Sequence, residues 1–214
     1  GDIDFIAGNL GLNSRLMASR EAPLTIYAKD FDNNGSIDPL MCYTKNGTEY
    51  PLALREVLLK QLPPLKTKFV RNAPYADATL EDVYPRTELQ TAQRFIATEL
   101  RSAYFENQGG KFVLKPLPNL AQAAPANAII VLDVNKDGKQ DIVLAGNDYG
   151  QQVETGAIDA GNGLVLLNEG KGSFKPVPGC LSGLWADKDA RSLALVRAAQ
   201  QKMLLLVGNS NDKM

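Results

Sequence analysis

Histidine is missing from the chain, and cysteine occurs only twice, as Cys42 and Cys180. The first absence excludes Ser-His triads, HExxH zinc centres and imidazole general bases. The second excludes thiolate zinc sites and a disulfide framework. Two cysteines 138 residues apart also give no evidence of pairing. No apolar run approaches the roughly 18 residues that cross a bilayer. Lys and Arg number 23 against 24 Asp and Glu, a net charge of -1, so the basic excess that nucleic-acid binding needs is lacking. What is left is globular: 214 residues, 44% hydrophobic and 22% charged, enough for one large domain or two small ones. Gly1-Asp2-Ile3-Asp4 reads neither as a signal peptide nor as a domain start, and the expectation is a piece of a longer chain.

Two phrases recur. Phe5-Ile6-Ala7-Gly8-Asn9, Val143-Leu144-Ala145-Gly146-Asn147 and Leu205-Leu206-Val207-Gly208-Asn209 end alike, the last two asparagines 62 residues apart. Asn107-Gln108-Gly109-Gly110-Lys111-Phe112 matches Asn168-Glu169-Gly170-Lys171-Gly172-Ser173-Phe174, with phenylalanines again 62 apart and Lys-Pro after each. Two independent markers with one period define a repeat. Ala128 to Leu132, Ile142 to Leu144, Leu164 to Leu167 and the stretch from Phe174 read as four short strands with glycine-rich turns. That content predicts a mainly β fold of β-propeller-type blades, about two complete and partial ones at each end. Ser192 to Val196 and Met203 to Val207 are the strands of the last.

From Asp30 to Asn107 is 77 residues, but from Asp133 to Asn168 only 35, which implies an insertion of about 42 residues by subtraction, placed at residues 51–98. Leu54, Val57, Leu58 and Leu62 have helical spacing, ended by Pro63-Pro64. Thr79 is a candidate N-cap, and Glu88 to Ala97 is weakly helical. The expectation is a small α-helical element, removable between Tyr50 and Ala97, whose ends lie close together.

The strongest chemical signal occurs twice. Asp30-Phe31-Asp32-Asn33-Asn34-Gly35-Ser36-Ile37-Asp38 and Asp133-Val134-Asn135-Lys136-Asp137-Gly138-Lys139-Gln140-Asp141 carry oxygen side chains at positions 1, 3, 5 and 9 and glycine at 6. Calcium takes six to eight hard oxygen ligands, which a tight loop offers on alternating residues. The candidate ligands are Asp30, Asp32, Asn34, Ser36 and Asp38, then Asp133, Asn135, Asp137, Lys139 and Asp141; Ser36 and Lys139 would contribute backbone carbonyls. An EF-hand would place a bidentate Glu at position 12 and helices on both flanks. Here position 12 is Met41 or Leu144, and the flanks read as strands. The plainer alternative is an Asp/Asn/Gly hairpin turn without metal. Gly1, Asp2 and Asp4 fit positions 6, 7 and 9 of a third, severed loop, while Ala198-Ala199-Gln200-Gln201-Lys202 has no ligands.

The calcium loop, the strand ending in Ala-Gly-Asn and the Asn-x-Gly-Lys-Gly-x-Phe turn together resemble FG-GAP/VCBS repeats, the family that includes the propeller of integrin α subunits and many secreted or surface bacterial proteins. Asp-Pro-Leu-Met-Cys-Tyr (38–43), the insertion and Tyr104-Phe105-Glu106-Asn107 are similar to bacterial members. The first loop departs from the pattern, being followed by Pro39-Leu40-Met41-Cys42. The resemblance implies a calcium-stabilised, extracytoplasmic β-propeller, periplasmic, cell-surface or secreted, with the remaining blades as partners.

Other signals are weaker. Arg55, Lys60, Lys66, Lys68 and Arg71 are either a patch for an anionic partner or the solvated face of a short helix pair. Trp185 and Tyr149 are able to stack on sugar rings, though a lone aromatic is more often packing. The clustered aspartates are accounted for as calcium ligands, and Glu81, Asp82, Glu88 and Glu154 show no catalytic arrangement. The expected role is therefore a binding or scaffold module for a glycan or protein, not an enzyme. The alternative is the propeller portion of a carbohydrate-active lyase or hydrolase.

Overall fold

A computed structural model describes residues 2–151 and 156–210. Gly1 and Glu154, both named above, lie outside the described residues. The chain is mainly β, 38% strand and 17% helix, in several antiparallel sheets, none of them closed among the described residues. It divides into two compact units. One joins Gly1–Arg15 to Leu100–Met214, and the other is Leu16–Glu99.

In the Leu16–Glu99 unit, β2 (Leu24–Lys29), β3 (Asp38–Lys45), β4 (Thr48–Pro51) and β5 (Gln93–Ala97) form a sheet of order β4-β3-β2-β5. Asn46 and Gly47 both take positive φ, 51° and 75°, the type I′ turn that Asn-Gly favours between twisted strands. Tyr27 stands opposite Leu40, and Thr25 opposite Cys42, so these four share one face. Against that face lie α1 (Arg55–Gln61), a 3₁₀ turn (Pro63–Lys66), α2 (Asn72–Ala76), α3 (Leu80–Val83) and α4 (Arg86–Gln90). Leu58 and Leu62, four apart on one stripe, reach the same core as Tyr27, Leu40 and Cys42. Thr79 caps α3 in a reciprocal capping box with Asp82.

The other unit holds three sheets. β1 (Phe5–Ala7), β6 (Ala103–Gln108) and β7 (Lys111–Pro116) pair in the order β1-β6-β7. β8 (Ala128–Leu132), β9 (Asp141–Ala145), β10 (Leu164–Gly170) and β11 (Ser173–Pro178) form a four-stranded meander, followed by α5 (Gly179–Ser182) and a hairpin of β12 (Ala190–Arg197) and β13 (Met203–Asn209). β9 is buried along its whole length, as an uninterrupted apolar run requires. Ile142, Leu144, Leu164 and Leu166 make the core with Leu117 and Ala121, and Ile6, Tyr104 and Phe174 pack on it.

The glycine of the Ala-Gly-Asn phrase has a steric cause. A Cβ on Gly8 would collide with the carbonyl oxygen of Ala126, and one on Gly146 with that of Pro125. Its asparagine is a buried hub: the Asn147 amide donates to the carbonyls of Gly161, Asp187 and Lys188 and accepts from the Gly161 N–H.

Three expectations are corrected. Glu88 to Ala97 is not one helix: α4 ends at Gln90, and β5 pairs with β2 in register Thr25↔Ile96. The hairpin at Asn107 does not share a sheet with the first loop, because its partner is β1, Phe105 standing opposite Phe5. The 51–98 segment is not a removable ornament. β4 and β5 are opposite edges of their sheet, about 14 Å apart across three strand spacings, and the helices between them supply most of that unit's core. Arg55 also departs from a solvated basic face, since its guanidinium donates to the carbonyls of Phe69 and Val70. Among the described residues, no helix is long and apolar enough to cross a membrane.

Candidate metal centre

Both nine-residue loops lie between antiparallel strands, β2 and β3 in one unit and β8 and β9 in the other. They close with the same five hydrogen bonds. In the first, the Asp30 carboxylate accepts from the N–H groups of Asn34 (3.0 Å) and Gly35 (2.8 Å). Asp32 accepts from Asn34 N–H, Asn34 Oδ1 from Ser36 N–H, and Asp38 Oδ2 from Phe31 N–H. In the second, Asp133 accepts from Asp137 N–H (3.1 Å) and Gly138 N–H (2.9 Å). Asn135 Oδ1 accepts from Asp137 N–H, Asp137 Oδ1 from Lys139 N–H, and Asp141 Oδ2 from Val134 N–H. Position 4 is left-handed in each (Asn33, φ 58°; Lys136, φ 62°), as is the glycine at position 6 (φ 88° and 86°). The spacing of short polar side chains thus folds the backbone around them.

The two loops differ in what their carboxylates face. One oxygen each from Asp30, Asp32 and Asp38 lies within 4.8 Å of the others, and among the described residues this is the only such acidic group. Oxygens bound to one calcium at about 2.3–2.6 Å lie at most about 5 Å apart, so this donor set fits. Asp38 is 4% exposed. Burial pushes its carboxyl above the usual range, against the pull of the Phe31 N–H, and the neighbouring Asp32 and Asp30 add to the rise. That is the electrostatic situation a cation relieves.

Asp133, Asp137 and Asp141 do not form such a group. Position 3 is the amide Asn135, whose Nδ2 donates to Asp137 Oδ2 at 3.1 Å, and Lys139 Nζ lies 3.7 Å from the same oxygen. The Lys139 N–H foremost, then Asn135 and the lysine charge, hold the Asp137 carboxyl below its usual value. The second loop therefore carries its own counter-charge.

A further link was not anticipated from sequence. Asn168 N–H donates to Asp141 Oδ1, and its side-chain amide to the Gln140 carbonyl. Asn107 does the same to Asp4 Oδ1 and the Ile3 carbonyl. Asp4 thus occupies a position-9 environment, with the Tyr104 hydroxyl donating to its second oxygen at 2.6 Å. The recurring asparagine of the turn phrase was the available signal. Gly1, the expected position 6, lies outside the described residues.

Both cysteines are free thiols, Cys42 buried and Cys180 exposed. Trp185 is not packed; 65% of its surface is exposed. Tyr149 donates its hydroxyl to the Asp187 carbonyl. No protein-family model, curated protein or solved structure matches this chain.

Proposed function

We propose that this chain is a calcium-stabilised module of FG-GAP/VCBS type, its sheets acting as propeller-type blades that bind or display a partner and catalyse nothing. What supports the reading is the identical five-bond closure of two loops 103 residues apart, carried by side chains that are also oxygen donors. Bound calcium would be held by Asp30, Asp32 and Asp38, with Asn34 and the Ser36 carbonyl beside them, and the second loop would bind more weakly. Loops without a bidentate Glu belong to the range of extracellular modules, roughly 10⁻⁴–10⁻³ M, which agrees with an extracytoplasmic location.

The test is thermal unfolding with calcium and with chelator. Free calcium at about 100 times the dissociation constant stabilises by about 2.7 kcal/mol, on the order of 10 °C for a unit of this size. Asp30→Ala and Asp32→Ala should abolish most of that difference, and magnesium should restore it poorly, because it demands a tighter octahedral shell. A transition indifferent to chelator and to both substitutions would reduce the loops to turns.

A further inference from the structure

The Gly1–Arg15/Leu100–Met214 unit contains a cavity of about 220 Å³ that the calcium loops do not touch. Its floor is Leu144, Ala145 and Leu164, all buried. Its walls are mostly alanines and glycines, with Leu120, Pro125, Pro178 and the exposed thiol Cys180; among the described residues Asn162 is the one amide side chain in the lining and none is charged. Trp185, the single tryptophan of the chain, stands in its lining.

The indole is exposed, yet its backbone is fixed on both sides. Ala186 N–H donates to the Asn162 carbonyl at 2.9 Å, and Ala186 is itself buried. On the other side, Leu184 packs so closely on Gly163 that a Cβ there would lie 2.9 Å from Leu184 Cγ, and the Leu184 carbonyl crowds Gly179 in the same way. Among the described residues, nothing hydrogen-bonds the indole N–H. A large apolar ring presented to water on an anchored segment, with a cavity beside it, is the reverse of a packing residue.

We infer that this cavity is a binding site for one ring of a neutral saccharide, seated against the Trp185 face. The described lining carries no charge, which favours a neutral ligand, since an ionic one would be desolvated there without a described partner. The Asn162 side-chain amide, in the lining, offers donors and an acceptor suited to hydroxyls, and the indole offers its face to the C–H side of a pyranose. This specifies a ligand for the binding role proposed above. It does not depend on calcium, whose failure would show in unfolding and not in the experiment that follows.

Because Trp185 is the only tryptophan, its emission reports on the cavity directly. The full chain is titrated, in calcium-containing buffer, with neutral hexasaccharides of glucose, mannose, galactose and xylose and with an oligouronate. A saturable emission change with at least one neutral oligosaccharide and none with the oligouronate is expected. Calorimetry should then show affinity at least tenfold weaker in Trp185→Ala and in Ala160→Phe, which fills the cavity, with the circular dichroism of both unchanged. Trp185→Phe should retain part of the binding. No saturable change with any neutral oligosaccharide, equal affinity in Trp185→Ala, or preference for the oligouronate would each overturn the inference.

Discussion

Replacing Leu62 by alanine tests whether the helical segment is the core of the Leu16–Glu99 unit or a decoration on it. Leu62 is 0% exposed and packs among Tyr27, Leu40 and Cys42 from the sheet and Leu58 and Phe69 from its own segment. Leu→Ala at such sites costs about 2–5 kcal/mol, the upper part where surroundings are too rigid to collapse. A sheet on one side and a proline-ended helix on the other are of that kind, so about 3–4 kcal/mol is expected. The unit has 84 residues (16 to 99), and its whole stability is on the order of 4–13 kcal/mol. The substitution should therefore remove a quarter or more of it. Native-state hydrogen exchange followed by mass spectrometry resolves where the loss falls. Peptides covering β2 and β3 should exchange about 10²–10³ times faster, since every 1.4 kcal/mol is tenfold. Peptides covering β8 and β9, in the other unit, should not change. Leu54, half exposed at the edge of the same helix, is the control and should cost under about 1 kcal/mol. A Leu62→Ala loss no larger than that of Leu54→Ala would mean that the sheet stands without its helical layer.

Two further outcomes follow from the loop geometry. Lys139→Ser removes the ammonium beside Asp137 and gives the second loop the first loop's residue at position 7. Without that counter-charge the loop's calcium binding should tighten, as read by calorimetry; weaker or unaltered binding would contradict the counter-charge argument. Asp4 is held below the usual carboxylate range by the Tyr104 hydroxyl and then the Asn107 N–H. A folded-state pKa below the unfolded one contributes stability present above about pH 4 and lost as pH falls through the folded value. Asp4→Asn should therefore flatten the acid side of the stability profile for the Asn107 hairpin, and an unchanged acid limb by nuclear magnetic resonance titration would refute the link.

What sequence reasoning recovered was local. The loops are legible because nine consecutive residues contain both the donors and the glycine that lets the chain turn back on them. The four strands of β8 to β11 are legible because each pairs with its neighbour in the chain. β5 was hidden because every residue of Gln93–Ala97 is exposed, so the alternation that marks a half-buried strand is absent. Its strand character comes from β2, which the chain left more than sixty residues earlier.

The misplaced insertion has the same origin, and the hydrogen bonds show how it should be measured. Subtracting the loop-to-turn distance of one repeat from that of the other assumed that Asp30 and Asn107 belong together. The structure pairs Asn107 with Asp4 and Asn168 with Asp141. Those separations are 103 and 27 residues, an excess of 76. That excess is close to the 84 residues of the Leu16–Glu99 unit. The chain therefore runs one repeat as far as Asn9, leaves it to build a separate sheet with its own loop and helical core, and resumes at Leu100. Gly11 N–H donating to the Leu100 carbonyl at 2.8 Å and Asn9 N–H donating to Ser102 Oγ at 3.0 Å close the repeat across that gap. Strand β1 then completes β6 as β9 completes β10, and Asp4 receives its asparagine from a residue it could not be matched to by spacing alone.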